Sequence, residues 1–171
     1  TLPSYSLAKS LAAGLGSMHL ALRFPLLFEA RIADYVPECR RAGGWQDVSF
    51  GNLLDMASGH YDSAVYDEDE ASAAMLDFFR AEDHMAKIRF ACSHFPRRAA
   101  PGTRWVYHTS DTYLLGTALQ AFVRRHLGKD RDFYTDVVAG SLWAPLGLSP
   151  VLQSTRRTRD LAAQPFTGWG L

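Results

Sequence analysis

Ser6-Leu7-Ala8-Lys9-Ser10 is the stretch on which the reading of this chain turns. A separation of three puts the Ser6 and Lys9 side chains on one face of a helix, one turn apart. Serine is a weak nucleophile until a neighbouring base takes its proton. Lysine serves as that base where burial or nearby positive charge disfavours its ammonium form. Pro3 and Ser4 just ahead fit a helix start, with Ser4 as a cap. The unpaired N–H groups of a first turn favour developing negative charge, which is what an oxyanion requires. On this motif alone, a capping serine and a solvated lysine is the plainer reading.

Working outward, the spacing of Leu7, Leu11, Leu15, Met18 and Leu22 predicts a helix that stops or kinks at Pro25. Residues 37–44 read as a loop broken at Gly43-Gly44. Val48 to Met56 suggests a short helix ending near Gly59. Residues 61–70 are acidic and irregular and read as an exposed loop. Residues 71–90 read as one long helix, 95–103 as a connection and 105–107 as a brief extended piece. Two further helices are predicted over 112–126, with Gly128 as terminator, and over 133–143, stopped by Pro145. Beyond Gly147 the pattern is turn-like, and strand signals are weak throughout.

A second group of chemistry-bearing residues runs Pro101-Gly102-Thr103-Arg104-Trp105-Val106-Tyr107-His108-Thr109-Ser110-Asp111. A Pro-Gly turn leads an extended stretch into a helix start. Such a turn holds a phenol rigidly at a cleft edge, where it hydrogen-bonds an amine and relays protons. A half-buried Tyr107 with Ser110 or Asp111 as a cap fits the residues equally well.

The bulk properties set limits. The chain has 171 residues, 47% of them hydrophobic and 21% charged, enough for one domain with a core. Eighteen basic side chains balance eighteen acidic ones, which argues against a dedicated nucleic-acid binder. No apolar run reaches the roughly 18 residues of a membrane helix. Six histidines show neither HxH nor HExxH spacing, so no metal is indicated. His108 reads either as a cleft residue or as a surface imidazole. The run from Tyr66 to Glu70 reads as a solvated loop. Cys39 and Cys92 could pair, but a chain of this size does not need a staple, and with no CxxC spacing the favoured reading is two free, partly buried thiols.

Three segments together resemble the serine β-lactamase and penicillin-binding-protein superfamily, in its class C, DD-peptidase and esterase branch. Ser6-Leu7-Ala8-Lys9 resembles its SxxK motif. Gly51 to His60 resembles "DLLxHTSG", and Pro101 to Gly116 resembles "PGxxFxYSNxxYxLLG". Pro145-Leu146-Gly147-Leu148 is similar to the "PLGM" turn that follows. The resemblance implies an α+β fold of which residues 1–171 form a single partial domain, mainly α-helical, without the N-terminal strands and the C-terminal sheet. It implies Ser6 as acylated nucleophile, Lys9 as general base, Tyr107 as the tyrosine of the YxN motif, and the Ser6 N–H as half of the oxyanion hole. Thr109 and His108 then fall among substrate-binding positions. The implied substrate is a small-molecule ester, amide or β-lactam-like compound, with no cofactor. The family implies a periplasmic or secreted protein, but no signal peptide is visible, so localisation stays open, a cytoplasmic one included. Oligomeric state stays open.

Two departures matter. Thr109 stands where the motif has asparagine, offering one hydroxyl in place of an amide donor and acceptor. This favours an ester substrate over a peptide or β-lactam. No basic-hydroxyl-glycine triad is evident, since Thr167-Gly168 follows Phe166. The isolated chain is therefore expected to turn over poorly. The rival readings are a non-catalytic penicillin-binding-protein-like ligand binder and a helical interaction module.

Overall fold

In the computed structural model, residues 4–169 are described. Pro3, read above as marking a helix start, lies outside them, as does the end of the turn-like stretch beyond residue 169. The described chain is mainly helical, and its extended pairs are isolated bridges: Arg31 with Ser49, His60 with Arg97 and Arg157 with Pro165.

The chain enters through a turn at Tyr5-Ser6 into a π-helical segment, Lys9–Gly14, which continues as α1 (Leu15–Ala21). The apolar stripe of Leu7, Leu11, Leu15, Met18 and Leu22 faces outward, 40% to 83% exposed. The small residues Ala8, Ala12, Ala13, Gly16 and Ser17 face inward instead, letting this helix sit close against its neighbours.

α2 (Pro37–Ala42) occupies what the sequence suggests is a loop. Proline is at home at a helix's first position, where its missing N–H costs nothing. α3 (Phe50–Leu54) follows a capping box in which Ser49 Oγ accepts from Asn52 N–H and Asn52 Oδ1 accepts from Ser49 N–H.

The predicted long helix over 71–90 is two helices, α4 (Ala73–Arg80) and α5 (His84–Ser93). The break lies at Asp83, whose carboxylate accepts from Ala86 N–H at 2.8 Å and starts a new helix. Cys39 on α2 and Cys92 on α5 are bonded in a disulfide, so the free-thiol expectation is wrong. Folding brings their Cα atoms to 4.8 Å across 53 residues, a proximity no local spacing reveals.

At the centre is α6 (Thr109–His126), buried along most of its length. A second π-helical segment, Phe133–Trp143, packs on α1 and α6. Two glycines of the family-like segments have steric reasons. Gly59 sits at φ +84°, and a Cβ there would collide with the Ala99 carbonyl. A Cβ on Gly116 would collide with the Thr167 hydroxyl, which donates to Thr112 O. The C-terminal strap that carries Thr167 seats on α6 through this contact.

Candidate active site

Ser6 lies at the mouth of the first helix, exposed to solvent. Its predecessor Tyr5 holds φ at +46°, a conformation most side chains avoid. The turn is closed by Leu7 N–H to Ser4 O at 3.1 Å and Lys9 N–H to Ser6 O at 3.0 Å. The predicted cap Ser4 turns its hydroxyl to the Tyr5 carbonyl.

One turn on, Lys9 Nζ donates to Ser6 Oγ at 3.0 Å. The phenol of Tyr107, 101 residues away in sequence, donates to the same oxygen at 2.7 Å. Lys9 Nζ lies 5.0 Å from the centre of the Tyr107 ring. Hydroxyl, amine and phenol thus form one connected group, open to solvent on the Ser6 side. Lys9 itself is buried and makes a second hydrogen bond, to Gly168 O at 3.0 Å. That carbonyl belongs to the C-terminal strap and gives the amine a second anchor besides Ser6. A cavity of about 450 Å³ opens beside Lys9, walled by Leu15, Met18, Leu54, Met56 and Thr112.

The two residues assigned to substrate binding are placed otherwise. His108 is 1% exposed: its ring stacks on Phe95 at 4.3 Å, and Nε2 lies 2.9 Å from Asp69 Oδ2. It faces the interior and does not line the cleft. On an extended segment, neighbouring side chains point to opposite faces, so Tyr107 at the surface sends His108 inward. Asp69 is likewise buried, accepting from the N–H groups of Asp62 and Ser63. The acidic run is therefore an organised loop pinned from within.

Thr109 is also buried, and its hydroxyl donates to Glu70. The Glu70 carboxylate accepts from Thr109 N–H as well, at 2.9 Å. It caps the start of α6, where a carboxylate is favoured by the helix dipole. The Thr109 hydroxyl is thus committed to Glu70.

Behind these lies Asp111, buried on the first turn of α6. Desolvation pushes its carboxyl up to about 6, against the opposing pull of His108 and hydrogen bonds from Ser58. His60 stacks flat on Trp45 at 3.9 Å, and burial beside Arg97 pushes its imidazole down to about 4. Among the described residues no cluster of three or more His, Cys, Asp or Glu is arranged to hold a metal ion.

Sequence reasoning missed Gly168, Glu70 and Lys87. Lys87 on α5 is fully buried. It donates to the Phe78 and Phe79 carbonyls at the end of α4 and lies among the rings of Phe78, Tyr113, Phe166 and Trp169. It ties the strap bearing Gly168 to the helical core. Local pattern carries no sign of these contacts, although a lysine among Met85, Ile88 and Phe90 is an unusual neighbour.

A family model described as Beta-lactamase matches residues 2–149. No curated protein matches the chain at a significant level. Among solved structures, a protein named as a 6-aminohexanoate-dimer hydrolase from Bacillus anthracis is similar, with a TM-score of 0.66 at 16% identity. The match covers 97% of this chain and 42% of that one, so the chain spans less than half of that protein's length. At such identity the likeness is one of fold.

Proposed function

The chain belongs to the beta-lactamase family, and from that premise we propose that it carries the nucleophile, base and phenol of a serine hydrolase acting through an acyl-enzyme. The observation that carries this reading is the shared oxygen: Ser6 Oγ lies within 3.0 Å of Lys9 Nζ and 2.7 Å of the Tyr107 hydroxyl. These are distances at which a proton passes directly between groups.

The steps follow from the geometry. With Lys9 neutral, its lone pair takes the Ser6 proton as Oγ attacks the substrate carbonyl carbon. The carbonyl π pair moves onto oxygen, next to the Ser6 N–H, which is spare at the start of the helix. As the intermediate collapses, the bond to the alcohol or amine breaks. Tyr107 delivers a proton to the departing atom and is restored from Lys9. Water then attacks the acyl-enzyme by the same route reversed, releasing acid and free Ser6.

Esters suit this site better than amides or β-lactams. Thr109 offers a substrate amide only a hydroxyl, and that hydroxyl is engaged by Glu70. The same engagement is what favours the second reading, a ligand binder without turnover. The outward stripe from Leu7 to Leu22 supports a larger fold in which further polypeptide covers this face. The test is hydrolysis of p-nitrophenyl acetate by the full-length polypeptide containing this chain. Ser6→Ala is expected to lower kcat at least about a hundredfold. Equal rates in the two proteins would reject the hydrolase.

A further inference from the structure

Three large aromatic side chains stand together beside Ser6. Trp105 and Tyr107 flank Val106 on an extended segment, whose alternation puts their rings on one side and the buried Val106 on the other. The segment is anchored by Val106 N–H to Met56 O at 2.9 Å. Tyr66 comes from the acidic loop. Its ring lies nearly parallel to Trp105 (8°, centroids 6.1 Å apart) and 6.3 Å from Tyr107. Trp105 and Tyr107 are also 6.3 Å apart, so the three rings surround one patch, with Tyr107 tilted about 50° to the other two.

Tyr66 is 71% exposed and Trp105 52%. Clustered exposed aromatics are costly in water and mark surfaces that take a ligand. The patch is also held in place. The loop bearing Tyr66 is pinned by the buried Asp69, which pairs with His108, the residue after Tyr107. A preorganised surface loses little entropy when a ligand arrives.

We propose that Tyr66, Trp105 and Tyr107 form a binding platform for a flat aromatic group on the leaving-alcohol side of an ester substrate. The side follows from Tyr107, which belongs both to the platform and to the reacting group. Its hydroxyl touches Ser6 Oγ at 2.7 Å, so an alcohol oxygen that receives its proton lies at that hydroxyl. The carbon substituent of that oxygen then extends along the Tyr107 ring toward Trp105 and Tyr66. This assignment of side rests on the hydrolase reading; the aromatic site itself does not.

The test separates the two. Ser6→Ala protein is titrated with N-benzylacetamide and, separately, N-butylacetamide, uncleavable analogues of benzyl and butyl acetate, while the resonances of each ligand are followed by NMR. Benzyl is expected to bind roughly 2- to 12-fold tighter than butyl, the range of one aromatic pair. The preference should vanish in Trp105→Ala and shrink in Tyr66→Ala. Both side chains are exposed, so both variants should fold. Equal affinity for the two ligands, or an unchanged preference in Trp105→Ala, overturns the platform. In parallel, the protein with Ser6 intact is treated with a fluorophosphonate. A benzyl preference without Ser6 labelling keeps the aromatic site and overturns its place in a hydrolase. Labelling without the preference does the opposite.

Discussion

Replacing Asp111 with asparagine should stabilise the protein at neutral pH, although it alters a buried, hydrogen-bonded residue at a helix start. The Asp111 carboxyl is buried, and desolvation raises its pKa from the ordinary 3.8 to about 6. The unfolded chain gives up this proton near pH 4, while the folded chain holds it to about pH 6. Folding stability therefore falls as pH rises across that window and stays lower above it. At 1.36 kcal/mol for each unit of pKa, the ionised carboxylate costs about 3 kcal/mol at pH 7.5. Asparagine keeps the shape and an acceptor for the Ser58 hydrogen bonds but carries no charge. Urea unfolding at pH 7.5 should show Asp111→Asn more stable by about 3 kcal/mol with an unchanged m-value. At pH 3.5 the two proteins should match. A variant less stable at pH 7.5, or one whose advantage is the same at both pH values, would refute the argument.

Other expectations follow from neighbouring contacts. Reducing the Cys39–Cys92 disulfide releases a crosslink across 53 residues, which should cost about 4 kcal/mol by loop-closure entropy, read by urea unfolding with and without reductant. His60, held down to about 4 from an ordinary 6.5, stabilises the fold above pH 6.5. That contribution is lost as pH falls toward 4, about 3 kcal/mol in all, and His60→Phe should remove this acid-side slope. Lys9→Met should slow fluorophosphonate labelling of Ser6 by about 10² to 10⁴ and cost about 1 to 3 kcal/mol of stability, because the methylenes are replaced in kind but the Gly168 carbonyl loses its donor. Tyr107→Phe should slow the same labelling while leaving the ring contacts with Tyr66 and Trp105 in place.

The legible parts of the site were local. Ser6 and Lys9 could be paired because three residues on a helix make one turn. The helix of α6 follows from apolar spacing. Tyr107 is different: nothing in its own neighbourhood points to Ser6, and only the resemblance of Pro101–Gly116 to a known segment joined them. Contacts across the fold stayed hidden. Gly168 meets Lys9 from 159 residues away. Cys39 meets Cys92 because α2 packs on α5. The apolar spacing from Leu7 to Leu22 marked a helix but not its buried side, which is the row of alanines and glycine, where close approach outweighs side-chain size. Residues 71–90 kept helical spacing across a break, and the cap at Asp83 was the overlooked signal. His108 and Thr109 were read as cleft residues from their motif positions, while the pairing with Asp69 and Glu70 that draws them inward depends on a loop whose charges suggested solvent.

The central claim is that the Ser6 oxygen is the nucleophile. Its most direct measurement is mass spectrometry of the protein after treatment with a fluorophosphonate. Trypsin cuts after Lys9 and Arg104, so Ser6 and Tyr107 fall on separate peptides. The account predicts a single adduct on the peptide that ends at Lys9, assigned to Ser6 by fragmentation and lost in Ser6→Ala. An adduct on the Tyr107 peptide instead, or a protein that stays unmodified under conditions that label a known serine hydrolase, would contradict it.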